Sequence, residues 1–495
     1  MSLGTFTINC PIYGGGSPAS QPRPRAGFDA AKTTSENKKH WQQADGLAPV
    51  SSLTPQIRTI LRNRARYEVL NNSFATGAVR TLVNDTVGRG PRLQMETNDE
   101  ALNAGVEDLW RDWSVAADFG LNTRVLTGVR YVAGECFALP FDSRTLDRLG
   151  LPVSLNIKLM EPDQVAHPWG ESWLGNNSTG DDGIICDDNG EVIKYKVLRA
   201  HPGDQRRYID KARADDYAAE DVYHWFVPER PGQLRGFTPL APGLPVFAQL
   251  RRFTSATLTG AEVAAMLTGV LESDMPLGGG DEPAGADYYD EIEMVRGMLI
   301  TVPRGTKPTQ FKPEQPTANY DQFVAAKLRE LGRAINMPYG KIAGDHSSYN
   351  YSSGKLDDCM YWSDREIERQ ALESKFINPF FYRWCDFARF ALPRLAAFRG
   401  KWWQLKHSWH YDARPTADAV KDATGDEINL TNGTDSLPAI ANRDGTTEDA
   451  LIASRKRTMQ KFIAAGVPLP PWLAGAPAPM RQGDGLPQDL GATRG

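Results

Sequence analysis

The sequence has no run of about 18 uninterrupted apolar residues, and no basic flank precedes an apolar core between Met1 and Pro11. Neither a membrane-spanning helix nor a secretory signal is therefore expected. Cysteine is scarce: Cys10, Cys136, Cys186, Cys359 and Cys385 stand far apart without a Cys-x-x-Cys pair, so they read as reduced thiols rather than a disulfide scaffold or a zinc site. Neither charge sign is in large excess. With 56 basic and 61 acidic residues and a net charge of −5, the chain is unsuited to wrapping nucleic acid tightly through its phosphates.

Nucleotide and metal motifs are missing as well. A P-loop needs a Gly six residues before its Lys and a Ser or Thr after it; Gly340-Lys341, Gly354-Lys355 and Gly400-Lys401 lack both. There is no His-Glu-x-x-His, no Gly-x-Ser-x-Gly, and no EF-hand spacing around Asp187-Asp188-Asn189-Gly190. His407 and His410 would share a face on a helix but diverge in a strand, and no third ligand is apparent. Asp345-His346-Ser347 has the letters of a hydrolase triad, yet adjacent residues diverge and a working triad is assembled from separate segments. No catalytic residue, metal or cofactor is expected.

What is present is a chain of 495 residues, 41% apolar and 24% charged, long enough for about three structural units. The 45 glycines and 34 prolines foretell many turns. Residues 1–50 and 474–495 are Gly-, Pro- and Ala-rich with little periodicity and read as a flexible arm and tail. Thr54-Pro55 is a helix start, with Ile57, Ile60, Leu61 and Leu70 at helical spacing; a second helix fits Ser73 to Val87 before Gly88-Arg89-Gly90-Pro91. A third carries Leu102, Val106, Leu109, Trp110 and Trp113. From about Val125 to Val227 short β-branched stretches predict strands, with a hairpin turn at Asp188-Asn189-Gly190. A long helix running to about Glu272 and another over Asn319–Met337, striped by Tyr320, Val324, Leu328, Leu331 and Ile335, flank a Gly/Pro-bounded insertion. That insertion's start, Glu272 to Glu293, carries eight acidic residues and no basic one. Beyond it come helices at 353–377, around Phe380–Leu395, and at Thr447–Gly466.

Four blocks in order carry a resemblance. The first is Arg64-Ala65-Arg66, Asn71-Asn72, Ala75, Ala78, Val83 and Val87-Gly88-Arg89-Gly90. The second is His224, then Arg230-Pro231-Gly232-Gln233-Leu234-Arg235-Gly236 and Leu240-Ala241-Pro242. The third is the helix Asn319–Met337 running into Asp345 to Ser353, and the fourth joins Trp409 and Asp412 to Lys421-Asp422-Ala423, Arg443-Asp444-Gly445 and Glu448-Asp449. Spanning roughly residues 54–460, this pattern resembles the lambda-type portal proteins of tailed phages.

The resemblance implies an α+β portal fold: a β-rich wing, two long stem helices flanking a small α/β clip, a kinked channel helix and a C-terminal helical crown. Its parts would be the arm 1–50, wing 51–242, first stem helix 243–273, clip 274–317, second stem helix 318–337 and tunnel loop 338–352. The kinked helix and wing return would occupy 353–400, the wing and crown region 401–473, and the tail 474–495. It implies a homo-oligomeric ring, usually of twelve, assembled in the host cytoplasm at one capsid vertex of the virion. Through it double-stranded DNA would enter and leave, with the terminase large subunit, the major capsid protein and head-completion or tail adaptor proteins as partners. Lys341, His346, Ser347, Ser348, Tyr349, Asn350 and Tyr351 would face the DNA; Lys327, Arg329 and Arg333 could track its backbone. Asp281, Glu282, Asp287 and Asp290 would dock the motor. A phage-encoded hydrolase, or another shell or connector component, is the alternative reading.

Overall fold

The computed structural model describes Lys39 and residues 46–168, 179–204, 213–266, 270–273, 306–309, 320–347, 349–415 and 418–470. The expected arm (apart from its last few residues), the tail, Ser348, and most of the clip with Asp281, Glu282, Asp287 and Asp290 lie outside them.

After a single turn, α1 (Pro49–Ser52), Thr54 opens α2 (Pro55–Asn71) by accepting the Ile57 N–H, with Pro55 in the first turn where no donor is needed. Asn72 closes α2 and caps α3 (Ser73–Val87), which ends at Gly88 with φ of +59°. Strand β1 (Arg92–Met95), α4 (Glu100–Ala116) and α5 (Phe119–Ala133) follow. Residues 125–133 thus differ from the strand that their β-branched content suggests. Thr123 and Thr127 return their hydroxyls to the carbonyls of Phe119 and Thr123, at 2.8 and 2.7 Å, which a helix alone permits at that spacing.

The β-rich unit is two antiparallel sheets. One has the order β3-β2-β8, from β2 (Cys136–Asp142), β3 (Leu155–Met160) and β8 (Tyr223–Trp225), with the short α6 (Arg144–Arg148) between the first two. The other is a meander of β4 (Thr179–Asp181), β5 (Ile184–Cys186), β6 (Val192–Leu198) and β7 (Ala214–Ala218). Gly190, at φ +83°, makes the expected turn between β5 and β6. Phe137, Met160, Ile184, Tyr195 and Val197 fill the space between the sheets.

The long helix α7 (Leu244–Met266) ends before Glu272; residues Val270–Ser273 are instead strand β9, antiparallel to β10 (Thr306–Thr309). Ser273 stands opposite Thr306, so the chain leaves and re-enters the body at one place. Helix α8 (Tyr320–Ala334) then buries Leu328 and Leu331, followed by Ile335, as its periodicity predicts. These pack with Leu82, Phe247, Leu250, Ile342, Tyr361 and Trp362 in one core.

Following α9 (Tyr339–Ala343), helix α10 (Tyr351–Leu372), a π-helical turn (Glu373–Ile377) and α11 (Asn378–Ala388) form one uninterrupted rod. Its N-cap is Asn350: Asn350 accepts the Ser353 N–H at 2.8 Å, and Ser353 accepts the Asn350 N–H at 3.2 Å. The π turn and α11 carry Phe376, Phe380, Phe381 and Trp384 into an aromatic core with Trp110, Trp113, Phe119 and Trp409. After α12 (Pro393–Ala397), β11 (His407–His410) pairs with β1. His407 bonds Asn378 and His410 bonds Ser408, so the two histidines share no site. Helices α13 (Ala419–Asn432), α14 (Leu437–Arg443) and α15 (Glu448–Ala464) are the last among the described residues, α15 opened by Thr447. Among the described residues no helix is long and apolar enough to cross a membrane, and Cys136, Cys186, Cys359 and Cys385 form no disulfide.

Candidate DNA-channel segment

The segment between α8 and α10 is built by one tight reversal. Met337 returns its N–H to the Gly332 carbonyl at 2.8 Å, with Asn336 left-handed at φ +51°. A Cβ on Gly332 would lie 2.4 Å from the Met337 oxygen, so only glycine permits the approach. Pro338 then starts α9, so the expected loop 338–352 begins with a helical turn. Its exposed residues are 344–347, entered through Gly344 at φ +67°, and 350–352.

The side chains in this stretch face two ways. Lys341 turns inward. Its Nζ lies 3.2 Å from Asp85 and 3.8 Å from Asp358, over the rings of Tyr361 and Trp362 at 4.7 and 5.5 Å. His346 is exposed and packs with Tyr349 over Gly340, whose N–H donates to the Tyr349 hydroxyl at 3.1 Å. Asp345 accepts the Ser347 backbone N–H at 2.9 Å, a local turn and not a triad. Asn350 is spent on its cap. Tyr351 is exposed, with the Lys421 and Lys355 ammonium groups over its ring at 4.2 and 5.8 Å.

Of the stem cations, Lys327 pairs with Glu330 at 2.9 Å. Arg329 is exposed and lies over the Tyr339 ring at 4.7 Å, and exposed Arg333 reaches Asn336 at 3.4 Å. Arg329, Tyr339, His346 and Tyr349 therefore form one group, while Lys341 clasps the segment to α3 and α10. Nothing in the sequence points from Lys341 to Asp85, which lies 256 positions away.

Several residues of the resemblance blocks are charged joints in the body. Arg58, on the same face of α2 as Arg62 and Arg66, meets Asp181 at 2.5 Å and Asp182 at 3.3 Å. Arg62 and Arg66 hold Asp163 at 3.3 and 2.5 Å, and Arg66 holds Glu161 at 2.9 Å. With its charged face buried, α2 leaves Ile57 and Ile60 exposed on the other side, the reverse of the usual amphipathic orientation. Glu161, Asp163 and His201 bring three ligand-type atoms together. Two guanidiniums already hold those carboxylates, so the group is an ion-pair network and not a metal centre.

Deeper still, Glu135 accepts from Arg235 Nε at 2.8 Å, from the Gly236 N–H at 2.8 Å and from His224 Nε2 at 3.1 Å. Burial alone would raise its pKa, but these partners hold the carboxyl well below the usual range. Burial outweighs the carboxylate for His224, whose pKa is lowered. A neutral ring protonated on Nε2 suits both its partners, Glu135 and the Tyr195 hydroxyl. Arg235 also donates to the carbonyls of Pro162 and Val165 at 3.2 and 3.0 Å, tying both sheets to the entry of α7. Elsewhere, Asp412 accepts the Arg89 N–H at 2.7 Å and the Arg89 Nε–H at 2.9 Å.

Comparison with known proteins bears on this arrangement. The chain is 23% identical over 470 residues to a probable portal protein of Halomonas phage phiHAP-1, covering 90% of this chain and 88% of that one. It is 21% identical over 475 residues to portal protein B of Escherichia phage lambda, covering 84% and 86%. Among solved structures it is similar to a chain from the virion of a native gene transfer agent particle, at 13% identity and a TM-score of 0.42, covering 88% of this chain and all of that one. Residues 35–367 match the model of the phage portal protein, lambda family. With that match spanning two thirds of its length, the chain belongs to the lambda family of phage portal proteins, structural rather than enzymatic components of the phage particle.

Proposed function

We propose that this chain is the subunit of a ring, twelve copies strong, set at the unique capsid vertex of the virion. Through its axis duplex DNA is packaged and ejected. The family match over residues 35–367 carries the reading. Two uncovered apolar stripes support a ring of identical copies: Ile57 and Ile60 on α2, and Leu356, Met360 and Ile367 on α10 at 63, 64 and 64% exposure. Helices of a complete single-chain core would bury such residues, and a heterologous ring interface would cover both stripes at once.

In this reading segment 338–352 faces the axis. His346, Ser347, Ser348, Tyr349 and Tyr351 brush DNA there, Asn350 shapes the entry to α10, and Lys341 holds the segment in place. Arg329 and Arg333, with Lys327 behind them, track phosphates weakly, as sliding requires. The insertion 274–317 is the clip, where Asp281, Glu282, Asp287 and Asp290 dock the terminase large subunit. The major capsid protein and head-completion or tail adaptor proteins bind the outer body, and assembly takes place in the host cytoplasm. The test is mass by light scattering with ring-averaged electron micrographs. Twelve copies of a 54.7 kDa chain give about 650 kDa; a species no larger than a tetramer would refute the ring.

A further inference from the structure

From Ala450 to Gly483 the sequence holds Arg455, Lys456, Arg457, Lys461 and Arg481 and no carboxylate, in a chain whose acidic residues outnumber its basic ones. Four of these cations lie on α15, and all four are exposed. None of the four has a side-chain ion pair or hydrogen bond with another described residue. Other cations behave otherwise: Lys355 pairs with Asp422, Arg414 with Glu366, Lys421 with Asp418 and Arg443 with Asp426.

The helix's own dipole accounts for part of the pattern. Glu448 and Asp449 at its start and Lys461 in its last turn sit where the macrodipole favours them, but Arg455, Lys456 and Arg457 lie mid-helix and gain nothing from it. At about 100° per residue these three fan around more than half of the helix, while Arg457 and Lys461 stack one turn apart on one face. A partner helix bearing carboxylates would meet one of those faces and strand the rest. A polyanion with charges on two flanking strands meets several, and a helix about 10–12 Å across fits a major groove about 12 Å wide. Leu451 and Phe462, half-buried, leave these cations pointing outward.

We propose that α15 is a non-sequence-specific contact for the phosphate backbone of duplex DNA, separate from segment 338–352. It requires neither a ring nor a channel. The test is binding of the full-length chain to a 30-bp random-sequence duplex, followed by fluorescence anisotropy across a salt series. Four phosphate contacts predict an affinity that falls on the order of 100-fold between 50 and 200 mM salt. The quadruple variant R455Q/K456Q/R457Q/K461Q keeps helix propensity and should make the slope of log affinity against log salt shallower by about 3 to 4. Wild-type protein that fails to bind at 50 mM salt, or a variant with unchanged affinity and slope, overturns the proposal. So does loss of DNA binding together with loss of assembled mass by light scattering, since α15 would then join copies of the chain. A wild-type chain that never forms rings yet shows the slope refutes the ring and keeps this contact.

Discussion

At the scale of single residues, the groups that matter most for stability are charges removed from water. Glu135→Gln strands the Arg235 guanidinium in the interior and should cost about 3–5 kcal/mol in urea unfolding. Acid should act through the same joint. Glu135 and His224 both have lowered pKa values, so the unfolded chain binds more protons than the native one and stability rises with pH. The His224 share is complete above its ordinary pKa of 6.5 and is lost as pH falls through its lower folded value; the Glu135 share follows below 4.5. Thermal unfolding between pH 7 and 4 should therefore show a progressive loss of stability, and His224→Gln should remove its own part of the upper step. Lys341→Ala should speed amide exchange across 339–347 and alter retention of packaged DNA, whereas His346→Ala should leave exchange unchanged. Such partnerships were not legible in the sequence. Glu135 and Arg235 are 100 positions apart, and the fold alone decides which carboxylate an arginine meets.

At the scale of elements, local chemistry was readable wherever it was self-contained. Thr54-Pro55, the span Ser73–Val87, the stripe of α8 and Thr447 each declare a helix through a cap or a period. Two elements misled. The β-branched content of 125–133 suggests strand, but threonine hydroxyls bond back within a helix. The periodic isoleucines of α2 suggest a core face, but the arginines on its other side found buried carboxylates. The crossing of α5 by the chain after α3 gives a signed test. Glycine to alanine inside a helix normally stabilises by about 1 kcal/mol. At Gly120 the new Cβ would stand 2.4 Å from the Arg89 carbonyl oxygen, so Gly120→Ala should lower the unfolding midpoint instead.

At the scale of the whole molecule, variants can test the proposed assembly and the proposed traffic through it separately. Leu356→Glu with Met360→Glu changes only exposed side chains, so it should leave the helical circular dichroism intact and abolish the large species in light scattering. Replacing Asp281, Glu282, Asp287 and Asp290 by Asn or Gln should leave rings whole and weaken terminase binding, with a smaller salt dependence in a pull-down titration. The outer stripe of α10 and the aromatic face of α11 belong to one rod, and the π turn at Glu373–Ile377 sets their relative phase. One surplus residue in a turn offsets everything after it by about 100°. The rod is thus keyed like a camshaft. Deleting one residue from 373–377 would keep it helical but turn one lobe away from its seat, so a single subunit would have to give up either its tryptophan-rich trunk or, in the proposed ring, its grip on the next copy.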